Sequence, residues 1–216
     1  MQKEELRDLT TPDYKKAIEA VEKGDFNKAL SLMTGFKAMT VKMHDALMDM
    51  VGLLMTYIAE NYGEDELEKA LRFRHTTFSK VHGDLSRMKI EQLLDIYSLL
   101  WRGHNSKFSI IEEEDRIVVK QEFCGSGTRM RKRGSTDPNM HLGYTKEKHK
   151  WCWDKKGVSY YCTHCCMIEI MSVEQTGRRY PICFVENADN VDDPCYWYFY
   201  KDEKSIPKKF MQQIGL

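Results

Sequence analysis

All seven cysteines of this chain lie between Cys124 and Cys195, and the first 123 residues contain none. Trp151, Trp153 and Trp197, three of the four tryptophans, fall in the same half. The chain starts with acids and no apolar core of a signal peptide, and a mean hydropathy of −0.58 leaves no unbroken apolar span. The expectation is a cytoplasmic protein without a membrane segment, in which a disulfide framework is disfavoured. Reduced thiols in that setting either pack as small hydrophobes or hold a metal.

The cysteine boundary coincides with a change of period. Thr11-Pro12 opens a helix that runs to Lys23 and stops at Gly24, and Asp25 can cap the next. Met43, Ala46, Leu47, Met50, Leu53, Leu54, Tyr57 and Ile58 then recur at helical spacing. Met48, Val51 and Met55 widen that stripe, which predicts a helix buried on more than one side, ending at Tyr62-Gly63. Short helices are expected over residues 64–74 and 89–102. After Gly103 the pattern alternates: residues 108–112 and 116–123 read as a hairpin joined by Glu113-Glu114-Asp115. Residues 129–156 are poor in apolar side chains and read as a long loop. Further strands are expected at 157–161, 180–185 and 196–200, with a helix at 164–173 between them. The fold class is α+β: a helical part at 1–105 packed on a small antiparallel sheet at 106–216 that carries a cysteine metal site, the two forming one integrated domain.

Cys162 and Cys165 form a Cys-x2-Cys pair, whose turn aims two sulfurs the same way. Cys124 ends one strand and Cys195 precedes another, so four thiolates could close a tetrahedral structural zinc site. Cys166 could replace Cys165, and His164 or His149 could supply a nitrogen; Cys183, between Ile182 and Phe184, reads as packing. Cys124, followed by Arg129, Arg131, Lys132 and Arg133, also invites a second reading as a charge-activated nucleophile.

Among the histidines, His104 sits at a helix-to-strand turn, and His44 borders the apolar stripe beside Asp45. With Glu169 they are the candidate acid–base groups. Residues 129–156 hold nine basic and three acidic side chains, interleaved with Trp151 and Trp153. Arg129, Arg131, Trp151 and Trp153 are the candidate ligand-binding residues for a small anionic compound. The same composition suits single-stranded nucleic acid. Equal totals of 33 basic and 33 acidic residues disfavour that for the whole chain.

The segment HDALMDMVGLLMTYIAENYGEDELEKALR, followed by a sheet with spaced cysteines, resembles the L-2-amino-thiazoline-4-carboxylate hydrolase-like proteins. More distantly it resembles the vinyl-reductase-type small-molecule-binding domains. The resemblance implies a pocket for a small, anionic compound and hydrolysis of a C–N or C–S bond, and carries over no catalytic residue. The leading expectation is a zinc-binding protein with a small-molecule pocket, acting as a hydrolase or lyase. A non-catalytic ligand sensor or accessory module is the first alternative, and a nucleic-acid-binding zinc module the second. A homo-oligomer is compatible with the sequence.

Overall fold

Helix α1 (Asp13–Glu22) starts directly after Pro12, whose fixed φ suits a helix entry, and ends before Gly24, where φ is +74°. Asp25 then accepts from the Lys28 N–H at 3.1 Å, capping α2 (Phe26–Tyr62), a single helix of 37 residues. Gly63, at φ +99°, separates α2 from α3 (Glu64–His82). A fourth helix, α4 (Ile90–Gly103), leads into β1 (Lys107–Glu112) and β2 (Arg116–Phe123). Then come α5 (Gly127–Thr136), α6 (Thr163–Glu174), β3 (Phe184–Glu186), β4 (Cys195–Tyr200) and α7 (Lys208–Gln213). The computed structural model describes residues 8–82, 85, 88–137 and 139–216, without the side chains of residues 81 and 82.

The chain divides into two compact units, Met1–Leu47 and Met48–Leu216. The second contains the whole sheet, antiparallel throughout and ordered β1-β2-β4-β3, together with α3 to α7. Helices beside a small antiparallel sheet make the fold α+β, as expected. Period-two alternation aims Trp197 and Phe199 of β4 inward, while Tyr196 and Tyr198 stack at 6.2 Å between centroids on the opposite face. Tyr97 and Trp101 of α4 cover the inward face, with ring centroids 5.5 Å and 5.4 Å from Trp197. Among the described residues no helix is long and apolar enough to cross a membrane.

Three expectations need correction. The 129–156 stretch begins with a helix rather than a loop, because Met130, fully buried, anchors α5 although nearly every neighbour is polar. The 157–161 strand is instead an isolated bridge, Tyr144 to Ser159, followed by a 3-10 turn, Tyr160–Cys162; the 180–185 strand shrinks to Phe184–Glu186. The methionine-rich helix is not buried on several sides: Met43, Leu47, Met50, Leu54 and Tyr57 are all exposed. In the second unit its inward face is Gly52, Met55, Thr56 and Ala59, at helical spacing. Small residues let other groups come close there. Thr56 Oγ1 accepts from the Gly143 N–H at 2.8 Å, and a Cβ on Gly52 would meet Met130 Sδ at 2.7 Å.

Candidate functional site

Cys124 follows the last residue of β2, and Cys195 opens β4 opposite Gln121 in the antiparallel register. Two thiols therefore enter one end of the sheet from neighbouring strands. Cys162 is the cap residue of α6, and Cys165 lies in that helix's first turn. One sulfur of each pair, Cys124 and Cys162, lies against Gly127, the first residue of α5. A Cβ there would stand 3.0 Å from Cys162 Sγ and 3.9 Å from Cys124 Sγ. Glycine is thus what lets α5 begin against both sulfurs.

The thiols act on one another electrostatically. Burial pushes Cys162 up to about 12, with Cys124 and Cys195 adding to the rise while Arg131 and Ser159 oppose it. Cys165 is raised well above an ordinary thiol by burial first, then by Cys124, Cys162 and Cys195. Burial also raises Cys195, against the Ala188 N–H, Arg131 and Lys155, which favour its thiolate. Cys162, Cys165 and Cys195 thus resist ionisation, through burial first and then through the neighbouring thiols. Among the described residues no three His, Cys, Asp or Glu side chains stand close enough together to hold a metal ion. The four thiols are neighbours, at wider spacing than ligands.

His104 Nδ1 lies 2.8 Å from Ser126 Oγ, in the turn between Cys124 and α5. Tyr161, whose hydroxyl donates to Met48 Sδ at 2.9 Å, bonds the same serine and feels Cys124, Cys165 and Cys162. His164 Nε2 stands 3.6 Å from Cys165 Sγ, and burial lowers this imidazole to about 4. Buried His75, beside Arg74 and His164, is lowered to about 3.

The other candidates separate. His44 belongs to the first unit, 3.2 Å from the Asp45 carboxylate. Glu169 is 1% exposed and accepts from Trp153 Nε1 at 2.6 Å and from the Val185 N–H at 3.1 Å, so it ties α6 to β3. Trp151 and Trp153 are core residues, 2% and 3% exposed, which removes their rings as stacking platforms for a ligand. His149 pairs with Glu64 at 2.6 Å and stacks on Trp151. Cys152, Cys166 and Cys183 are buried packing residues.

The two arginines diverge as well. Arg129 donates to the Asn105 carbonyl at 3.4 Å and lies over the Phe123 ring. Arg131 donates to the Ala188 and Asp189 carbonyls at 3.3 Å and 3.1 Å. It lines a cleft of about 240 Å³ with Lys155, Lys156, Ser159, Asn187 and Asp189. One wall belongs to the thiol cluster: the Cys162 N–H donates to the Ser159 carbonyl at 2.8 Å, and Cys195 Sγ accepts from Ala188 N–H at 3.4 Å. In the sequence Lys155 and Lys156 are two cations among nine, and Ser126 and Tyr161 carry no motif that singles them out. Only the fold of 143–162 brings those lysines to Arg131; the glycine turn around Ser126 is a signal visible in the sequence.

Burial of Glu169 raises its carboxyl well above the ordinary range, against the opposing bonds from Trp153 and Val185. The folded state therefore holds a proton that the unfolded chain releases. That stability contribution is complete below the ordinary carboxylate pKa and is lost as pH rises through the elevated one. Thermal melting of the wild type across pH 4 to 9 should show this decline, and Glu169→Gln, which keeps an acceptor without the charge, should flatten it. Equal slopes would contradict a neutral Glu169.

No protein-family model, curated protein or solved structure matches this chain.

Proposed function

We propose that this chain is a zinc-thiolate protein that binds a small anionic compound in the cleft beside the metal. Cys124, Cys162, Cys165 and Cys195 are the ligands. One observation carries the reading: Cys162 at the start of α6 and Cys124 at the end of β2 converge on Gly127, and Cys165 and Cys195 act electrostatically on the same group. A dication offsets the burial and the mutual repulsion that hold Cys162, Cys165 and Cys195 protonated, and four sulfurs are a donor set suited to zinc. With all four ligands from protein the metal is structural: it fixes the β2 and β4 ends against α6. Arg131 gives the cleft its preference for an anion, since both its hydrogen bonds go to main-chain carbonyls, whereas Lys155 is paired with Asp189 at 2.8 Å and Lys156 with Glu147 at 3.6 Å.

His104 is the acid–base group for hydrolase or lyase chemistry, because it adjoins the thiol cluster through Ser126. The non-catalytic sensor has support from the structural engagement of Glu169 and the pairing of His44. L-2-Aminothiazoline-4-carboxylate, a small carboxylate with cleavable C–N and C–S bonds, separates the two. The zinc-loaded chain should bind it, and Arg131→Gln should weaken binding about tenfold, on the scale of a charge-assisted pair. Turnover lost in His104→Gln with binding kept marks an enzyme. Binding without turnover marks a sensor, and no binding of this probe or of a simple carboxylate removes the anion site.

A further inference from the structure

Among its described residues the first unit lacks a core of its own. Those that are both buried and apolar are Ala17, Ala20 and Ala29, supplemented by an edge-on contact between Tyr14 and Phe36 at 6.3 Å. Phe26 and Leu30 are 69% and 68% exposed, and Met33, Met43 and Leu47 are about half exposed. Helix α1 cannot cover them. Its ten residues rise roughly 15 Å, while the 26–47 stretch of α2 rises roughly 33 Å. Ordering some forty residues around three buried alanines leaves the chain's conformational entropy uncompensated.

The pattern of the exposed stripe identifies what covers it. The exposed Phe26, Leu30, Met33, Met43 and Leu47, with the half-buried Thr40 between them, share one face of α2 within an arc of about 140°, and the exposed Met39 lies outside it. Along that face the spacings are 4, 3, 7, 3 and 4, which read the same in either direction. A stripe with that symmetry meets itself when a second helix is laid antiparallel across it: Phe26 opposes Leu47, Leu30 opposes Met43 and Met33 opposes Thr40. Self-complementarity of this kind is what a two-fold interface requires and what an unrelated partner does not. Charge agrees with it. Residues 8–47 carry six basic and six acidic side chains, so two copies meet without net charge repulsion. The five large side chains of the stripe would bury on the order of 600 Å² per copy, most of the roughly 800 Å² per partner in a standard interface.

We propose that two copies of this chain associate through the 26–47 stretch of α2, antiparallel about a two-fold axis between Phe36 and Lys37. The surface is isologous, and each hairpin completes the core of the other.

Sedimentation of the full-length protein at tens of micromolar tests this, with circular dichroism checking that each variant keeps its helices. The wild type should run at twice the 25.4 kDa chain mass. Leu30→Glu and Met43→Lys should each run as monomers. Because position 30 of one copy faces position 43 of the other, an equimolar mixture of the two variants should recover a dimer through one Glu–Lys pair. A monomeric wild type, which would assign the stripe to another partner or to another part of this chain, overturns the proposal. So does a dimer that survives either substitution, or a mixture that stays monomeric although both variants are folded.

Discussion

Cys162→Ser combined with Cys165→Ser should abolish metal binding and cost the protein several kcal/mol of stability. Structural zinc supplies roughly 10–16 kcal/mol of apparent folding free energy in small domains. Removing two of four thiolates leaves a site that cannot close around the ion. The two residues sit on the first turn of α6, so the loss should detach that helix start from the strand ends bearing Cys124 and Cys195. Chelator separates this account from simple packing. If the ion is the source of stability, stripping it from the wild type should bring its melting temperature down close to that of the double variant. If Cys162 and Cys165 are merely buried apolar side chains, chelator changes nothing and the gap between the two proteins persists. A double variant that keeps about one zinc per chain would refute the ligand assignment.

The second large effect comes from a glycine without a ligand role. Gly125 lies beneath the turn that joins α4 to β1. A Cβ there would stand 1.7 Å from the His104 carbonyl oxygen, 2.6 Å from its carbon and 2.8 Å from the Asn105 carbonyl carbon. These are main-chain atoms, which cannot swing aside as a side-chain tip can. The same turn is held by Ser106 Oγ, which accepts from the Gly125 N–H at 2.9 Å. Gly125→Ala should therefore destabilise the fold by about 3–5 kcal/mol, in the range reserved for forced overpacking or strain. It should also weaken metal binding, because Cys124 precedes it and His104 and Ser126 flank it. Gly35→Ala is the control: a Cβ at that position of α2 would meet nothing within 4 Å, and removing a helix-interior glycine should stabilise by about 0.5–1 kcal/mol. Chemical denaturation measures both, and similar values for the two would contradict the close packing at Gly125.

Much of this architecture is legible in residue patterns, for reasons that also explain the failures. The β1–β2 hairpin is legible from two apolar runs around an acidic turn and β4 from its alternation, and α4 buries Leu93, Tyr97 and Trp101 at helical spacing. Helix α5 escapes detection because one methionine, Met130, anchors it and every other cue in GTRMRKRGST is polar. The long helix is recognisable from its period, but its burial is the inverse of what its stripe suggests. Large apolar side chains point to an inward face, whereas Gly52, Thr56 and Ala59 permit the closest approach. At the site, local spacing reveals the Cys162–Cys165 pair, and strand ends suggest Cys124 and Cys195 as its partners. What brings Cys124 and Cys162 together is a long-range contact at Gly127, and no local pattern encodes that. Tryptophans in a basic stretch resemble a binding surface, yet Trp153 is the buried partner of Glu169. A buried carboxyl that needs a donor explains that pair better than a ligand does.

X-ray absorption at the zinc edge of the full chain, purified without chelator, examines the four-thiolate site most directly. Zinc at about one equivalent per chain, with a first shell of four sulfurs at about 2.3 Å, is the result the thiol cluster predicts. A protein that folds with no bound metal, or a shell dominated by nitrogen and oxygen, would contradict it.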